Sequence, residues 1–133
     1  MKLSKETRKF YLKLGNLFYA IAAIDKVVRE EEVQTLKNII KDEWVFVDDA
    51  TDEYGVDSAY QIEIVFDWLE ELQPDPEDCF NSFKKFKQEH EAMFPQHIKD
   101  LIWKTADRIA ASFSGKNKSE VILLAKLKSV LLD

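Results

Sequence analysis

The sequence predicts an all-α protein, a compact bundle of about six helices in a single domain over residues 1–133. Its 133 residues include only three glycines and three prolines, too few for the frequent turns of an all-β sandwich. The apolar fraction of 46% and the aromatic fraction of 12% are sufficient for a single-domain core. Apolar residues recur at steps of three and four along most of the chain, which is the spacing of one face of an α-helix.

The first predicted helix covers residues 4–25. Gly15 lies within it at a cost of about 1 kcal/mol relative to alanine, which indicates that a neighbouring helix approaches closely there. The helix is amphipathic because six apolar residues form one stripe along it. These residues are Phe10, Leu14, Leu17, Phe18, Ile21 and Ile24.

The second predicted helix begins near Arg29 or Glu30. Three glutamates at residues 30–32 occupy its first turn, where the helix dipole favours negative charge. Its apolar stripe continues to residue 47, although the segment "WVFV" at 44–47 is also rich enough in β-favouring residues to form a short extended piece. The acidic segment "DDATDEYGVD" at 48–57 is predicted to be a loop.

Four further helices are predicted at about residues 58–72, 76–92, 95–114 and 118–132. Asp75 and Pro76 are suited to the N-cap and the first position of the fourth helix. Gly115 is suited to end the fifth helix in the left-handed conformation, and Asn117 with Glu120 forms a capping-box-like pair before the sixth. The sixth helix is apolar over most of its circumference, which is typical of a buried helix or of one that covers a partner.

The two ends of the chain are similar to each other. When the numbering is shifted by 88, residues 21–23 fall on residues 109–111, and Glu32 falls on Glu120. The same shift places Arg29 on Asn117, the proposed cap of the sixth helix. This similarity predicts two pseudo-repeated helical hairpins that pack against each other.

Charge and composition exclude several classes of function. The net charge of −6 disfavours nucleic acid as a partner, because binding to phosphate relies on basic surface. The longest uncharged run, residues 14–24, is shorter than the roughly 20 residues that cross a bilayer, so no direct membrane insertion is expected. The single cysteine, Cys79, has no partner for an internal disulfide, and no signal-peptide pattern follows the N-terminus. A cytoplasmic location is therefore predicted.

The segment "YAIAAIDKVVREEEV" at residues 19–33 resembles the signature of the TerB-like family, which comprises tellurite-resistance proteins and related helical domains. In that family a helix of small residues ends in an Ala-Asp-Gly turn, and a glutamate follows about seven residues after the aspartate. Asp25 and Glu32 match that spacing. The resemblance extends over most of the chain, since the approximate length and the two similar hairpins also agree.

The resemblance implies a divalent-cation site between the two hairpins. Family members are thought to bring the acidic residues of both hairpins together, and hard cations such as Ca²⁺ and Mg²⁺ prefer oxygen ligands. On this basis the candidate metal ligands are Asp25, Glu31, Glu32 and Glu120.

The sequence departs from the family pattern at three positions. Lys26 stands where the family has glycine, Arg29 where it has a serine or threonine cap, and Phe113 where an aspartate is expected in the second hairpin. A structural interpretation of the acidic residues is the alternative to the cation site. Capping and the helix dipole also select an acidic residue near a helix end and glutamates at a helix start.

Three other sequence patterns are weaker evidence for a functional site. An EF-hand alignment that places Gly55 at loop position six puts Ala50 at position one, which fails the ligand pattern. His90 and His97 are not part of any Glu-x-x-His pair, so a di-metal bundle is unsupported. Cys79 lies at a helix start, where a thiol pKa is sometimes lowered, but a half-buried structural thiol is the simpler interpretation.

The expected function is non-enzymatic, because the sequence contains no phosphate-binding loop, nucleophile elbow or His-x-Glu signature. The resemblance implies a role in tellurite or general stress response through cation-dependent docking to a protein partner, with membrane-associated partners as one implied kind. Two alternatives remain open. One is a metal-independent interaction module that uses a groove or the apolar last helix. The other is a small-ligand carrier or enzyme that uses an interior formed by three tryptophans and nine phenylalanines.

Overall fold

The computed structural model describes residues 4–48, 51, 56–112 and 115–133. These residues form six α-helices and two short 3₁₀ turns, Trp44–Phe46 and Glu91–Met93. Their only β-type pairing is an isolated bridge between Thr51 and Asp57. The prediction of an all-α bundle of about six helices is confirmed. The helices are α1 (Lys5–Ala23), α2 (Glu30–Asp42), α3 (Tyr60–Leu72), α4 (Pro76–Glu89), α5 (Gln96–Ala111) and α6 (Lys118–Leu132).

Helix α1 is the centre of the bundle and packs against α3, α4, α5 and α6. Its start is fixed by Ser4, whose side chain accepts a hydrogen bond of 3.0 Å from the Thr7 backbone N–H. Every residue from Leu17 to Ala23 is buried, because this part of the helix is apolar around its whole circumference. The C-terminal end of α1 is therefore enclosed by other helices.

Gly15 lies where α3 approaches α1 closely. A Cβ atom built at this position would lie 2.8 Å from Val65 Cβ and 3.1 Å from the Ile62 carbonyl oxygen. The first distance is well inside normal carbon–carbon contact. The close approach of a neighbouring helix that the sequence indicates at Gly15 is thus confirmed.

The two hairpins have matching boundaries. Ala23 ends α1 and Ala111 ends α5, while Glu30 begins α2 and Lys118 begins α6, and both pairs are 88 residues apart. Helix α2 packs on α5, and α6 packs on both α5 and α1. The hairpins therefore interlock, and the two helix connections come together.

Some predicted boundaries differ from the observed ones. The segment at 44–47 neither continues α2 nor forms an extended piece, because it enters a 3₁₀ turn at Trp44. The Trp44 indole is fully buried and its N–H donates to Thr105 Oγ1 at 3.0 Å, which draws the turn towards α5. Helix α3 begins at Tyr60 rather than 58, and α4 ends at Glu89 rather than 92.

No helix in the described part of the chain is both long enough and apolar enough to cross a membrane. Residues 49–50 and 52–55, which make up most of the acidic segment predicted as a loop, lie outside the described residues, and so does Phe113.

Candidate functional site

The α1–α2 connection and the α5–α6 connection meet through side chains that are 92 residues apart in the sequence. Asn117 Nδ2 donates a hydrogen bond of 2.7 Å to Asp25 Oδ2. We call the cluster formed around this contact the hairpin junction. It consists of Asp25, Arg29, Glu32, Asn117 and Glu120.

Asp25 is the central acceptor of the hairpin junction. Its Oδ2 also accepts a hydrogen bond of 2.8 Å from Arg29 Nη1, and its Oδ1 accepts one of 3.1 Å from the Val27 backbone N–H. A negative charge at the C-terminal end of a helix is opposed by the helix dipole. The Arg29 guanidinium offsets that repulsion and fixes the carboxylate towards Asn117.

Lys26 gives the chain its sharp bend after α1. Its φ angle is 71°, in the left-handed region that glycine adopts freely and other residues at a cost of about 1 kcal/mol. The hydrogen bond from Val27 to Asp25 spans this residue. The position where the TerB-like pattern has glycine thus has the backbone conformation typical of glycine, although the residue is lysine.

Glu32 and Glu120 occupy equivalent positions in the first turns of α2 and α6. Glu32 Oε1 accepts from the Arg29 backbone N–H at 2.8 Å, and Glu120 Oε1 accepts from the Asn117 backbone N–H at 3.0 Å. Asn117 Oδ1 accepts in return from the Glu120 N–H at 2.9 Å, which completes a capping box. The guanidinium of Arg29 has no acceptor for such a return bond and binds Asp25 instead. The capping interpretation of both glutamates is confirmed.

The two glutamates also form a buried carboxyl pair. Glu32 is 1% exposed and Glu120 is 2% exposed, and their carboxyl groups are within hydrogen-bonding reach of each other. Burial is the main cause that raises the pKa of Glu32 to about 8, and the charges of Glu120 and Asp25 act in the same direction. Two carboxylates so close together do not both ionise near neutral pH. Burial and the neighbouring carboxyl groups therefore favour the protonated form of Glu32 at pH 7.

The hairpin junction is satisfied by its own groups. Within the described residues, every buried side-chain nitrogen or oxygen has a hydrogen-bond partner. The guanidinium of Arg29 balances Asp25, and the proton on Glu32 removes one of the two buried negative charges. The arrangement joins the two hairpin connections and favours the protonated form of one buried carboxyl group.

Three of the four predicted metal ligands, Asp25, Glu32 and Glu120, lie in the hairpin junction. Glu31 is solvent-exposed, because successive residues of a helix point about 100° apart and Glu32 is the one that faces inward. In the described part of the chain, no group of three or more His, Cys, Asp or Glu side chains is arranged to hold a metal ion. The divalent-cation site that the resemblance implies remains a prediction.

The histidines and the cysteine have structural surroundings. The His90 ring stacks on Phe86 at a centroid distance of 4.2 Å, and its Nδ1 lies 3.0 Å from the Phe86 carbonyl oxygen. His97 is exposed. Cys79 is buried, and burial raises the pKa of its thiol, which is opposite to the effect of a helix start. Its surroundings agree with a structural thiol.

The aromatic residues pack mainly against one another. The Phe94 ring contacts the rings of Phe10, Phe83 and Phe86 at centroid distances of 5.4, 5.9 and 6.2 Å. A groove of about 540 Å³ lies at the surface beside the end of α1, and Tyr19 is the aromatic residue in its lining. The hypothesis of a small-ligand carrier or enzyme with an aromatic interior also remains a prediction.

Arg29 and Asn117 were not predicted from the sequence as partners of Asp25. The signal for Arg29 was present, because opposite charges four residues apart are close enough to pair where the chain is helical or tightly turned. The signal for Asn117 was the similarity at a shift of 88 residues, which makes Asn117 the position in the second hairpin that is equivalent to Arg29 in the first. A contact across 92 residues depends on the packing of both hairpins and has no local signature.

Comparison with known proteins leaves the family of this chain open. No protein-family model, no curated protein and no solved structure matches it. The functional interpretation therefore rests on the geometry of the hairpin junction and on the surface of the bundle.

Proposed function

We propose that this protein is a non-enzymatic interaction domain of the TerB-like kind, in which the hairpin junction holds two helical hairpins in one arrangement for binding a protein partner. The observation that carries the proposal is the 2.7 Å hydrogen bond between Asn117 and Asp25, which joins the two hairpin connections directly. The buried pair of Glu32 and Glu120 adds a second link. Both links lie between the α1–α2 connection and the α5–α6 connection, so they hold the two hairpins in a defined arrangement.

The TerB-like part of the proposal is supported by three features. They are the spacing of Asp25 and Glu32, the left-handed backbone at Lys26 and the matching boundaries of the two hairpins. A role in tellurite or general stress response, and partners that are associated with a membrane, rest on the resemblance alone.

A second candidate function is cation-dependent docking. It is favoured by the presence of Asp25, Glu32 and Glu120 in one junction. A divalent cation would replace the proton of Glu32 and compete with the Arg29 guanidinium for Asp25. Because the proton is held with a pKa of about 8, cation binding would be stronger above that pH than at pH 7.

Calorimetric titration and thermal unfolding with Ca²⁺, Mg²⁺ and Zn²⁺, at about pH 7 and pH 9, distinguish the two candidates. The proteins are the wild type, Asp25→Ala and Glu31→Gln, the last as a matched control because Glu31 is exposed. We expect no heat and no thermal shift for any of them. Heat that Asp25→Ala removes and Glu31→Gln retains would replace the metal-independent proposal with the cation-dependent one.

The interaction role is tested by purifying a tagged chain from its native cells. A partner that co-purifies in a fixed stoichiometric ratio with the wild type and Glu31→Gln, and is lost with Asp25→Ala, is the expected result. Repeated purification of the chain with no stoichiometric partner would contradict the interaction role.

A further inference from the structure

Helix α3 has a second apolar face that no part of the described chain covers. Ile64, Trp68 and Leu72 are spaced four residues apart and therefore share one side of the helix. They are 55%, 58% and 58% exposed, whereas the core side of the same helix, with Ile62 and Phe66, is fully buried. We call Ile64, Trp68 and Leu72 the α3 stripe.

The α3 stripe is flanked by negative charge. Helix α3 contains four acidic residues and no lysine or arginine. Asp67 and Glu71 are exposed and lie three residues after Ile64 and Trp68, which makes them direct neighbours of the stripe. Glu63, on the side towards α2, is 3.5 Å from Lys37, so the acidic residues nearest the stripe are the ones that face solvent.

We propose that the α3 stripe is a docking surface for a basic amphipathic helix of a partner protein. This inference rests on the proposed function, because it names the surface and the partner chemistry of the interaction domain. The apolar ridge of the partner would cover the stripe, and its flanking lysines or arginines would lie opposite Asp67 and Glu71. The stripe spans nine residues, 64–72, or about 12 Å of helix, which matches two to three turns of a partner helix.

Charge and composition select this partner over other occupants. Acidic residues beside the stripe, on a chain with a net charge of −6, repel anionic lipid surfaces and nucleic acid. A basic helix is attracted by the same residues, which favours its association. Trp68 stands at the centre of the stripe, and an exposed tryptophan is the residue type most enriched among the energetically dominant positions of interfaces.

A second copy of this chain is the competing occupant. The exposed side of α6 has Val121 and Ile122, which are 51% and 49% exposed, next to the exposed Lys126 and Lys128. That face is itself basic and amphipathic. Two copies would have to overcome the repulsion between two chains of net charge −6, so we commit to a separate, basic partner.

The probe is a synthetic amphipathic peptide of about 14 residues, built from leucine at helical spacing and lysine elsewhere. Its matched control has glutamate in place of every lysine. Binding is measured by fluorescence anisotropy of the labelled peptide with the wild type, Trp68→Ser, and Asp67→Lys/Glu71→Lys. Two control variants make the same kinds of substitution outside the stripe. Val121→Ser replaces an exposed apolar side chain by serine, and Asp42→Lys/Glu89→Lys replaces two exposed acidic side chains by lysine. Circular dichroism establishes that each variant is folded.

We expect the lysine peptide to bind and the glutamate peptide not to bind. Trp68→Ser and Asp67→Lys/Glu71→Lys should each weaken binding by about tenfold or more, while both control proteins should stay within about twofold of the wild type. Equal binding of the two peptides, or an equal loss in Val121→Ser, would overturn the proposal. So would the absence of any binding by the folded wild type.

Sedimentation of the protein without peptide tests the competing occupant. The proposal expects a monomer at all concentrations. Self-association that both Asp67→Lys/Glu71→Lys and Lys126→Glu/Lys128→Glu abolish would assign the α3 stripe to a second copy and overturn the proposal. The peptide and sedimentation results concern the α3 stripe, whereas co-purification of a partner tests the interaction role. Glu32→Gln, in which glutamine replaces the protonated acid of the hairpin junction, should bind the peptide like the wild type. A failed docking surface is therefore distinguishable from a failed function.

Discussion

Lys26 has a backbone conformation that its side chain does not favour. Its φ of 71° is required by the bend that brings Asp25 and Val27 into their hydrogen bond. We predict that Lys26→Gly raises the free energy of unfolding by about 0.5–1 kcal/mol, because glycine adopts this conformation without the steric cost. Urea unfolding measures the change.

Lys26→Ala is the matched control for that prediction. It removes the same exposed charge but keeps a Cβ atom, so the backbone strain remains. Stabilisation of equal size in Lys26→Ala and Lys26→Gly would show that the charge, and not the conformation, is responsible.

At the scale of single residues, the sequence indicated that Glu32 and Glu120 cap their helices, but it did not indicate that their carboxyl pair holds a proton. Glutamate at the third position of a helix is a local pattern, and both Glu32 and Glu120 were predictable as capping residues. The shared proton depends on burial of the two side chains against each other. Burial is produced by the packing of elements that are distant in the sequence, so no local pattern encodes it.

At the scale of the elements, the contact between α1 and α3 is set by the absence of a side chain at Gly15. We predict that Gly15→Ala lowers the free energy of unfolding by about 1–3 kcal/mol, because the new Cβ would lie 2.8 Å from Val65 Cβ and overpacking has costs of that size. In an uncrowded helix the same substitution would stabilise by about 1 kcal/mol. Chemical denaturation gives both the sign and the size.

Gly115→Ala separates crowding from backbone effects. Gly115 has a φ of 81° and open space around its Cβ position, so only the conformational cost of about 1 kcal/mol applies. Stabilisation of the protein by Gly15→Ala would contradict the prediction that α3 leaves no room for a side chain at this position of α1.

Helix existence was predictable from periodicity, whereas some boundaries were not. The apolar stripe of α2 extended in the sequence to residue 47, but α2 ends at Asp42. The burial of Trp44 and its hydrogen bond to Thr105 are contacts with α5, sixty-one residues away. Such long-range contacts override local propensity. The spacing of Ile64, Trp68 and Leu72 is enough to place them on one side of α3, but their exposure follows only from how α3 packs on α1.

At the scale of the whole molecule, the two hairpins are joined by a carboxyl pair that retains one proton near neutral pH. The pKa of Glu32 is raised from the ordinary value of 4.5 to about 8 in the folded protein, so the folded state binds this proton more tightly than the unfolded chain does. The stability that the proton contributes is fully present below about pH 4.5. It is lost progressively as the pH rises through about 8.

The most direct measurement of this claim is the free energy of unfolding, by urea, of the wild type and Glu32→Gln from about pH 5 to pH 9. Glutamine mimics the protonated acid, since its amide donates to Glu120 and its oxygen accepts from Arg29. Glu31→Gln, at an exposed position one residue earlier, makes the same change of charge outside the hairpin junction. We predict that Glu32→Gln and the wild type have similar stability at about pH 5. By pH 9 the variant should be more stable by on the order of 2–4 kcal/mol, while Glu31→Gln stays parallel to the wild type. Curves for Glu32→Gln and the wild type that run parallel across this range would contradict the proton held by the carboxyl pair of Glu32 and Glu120.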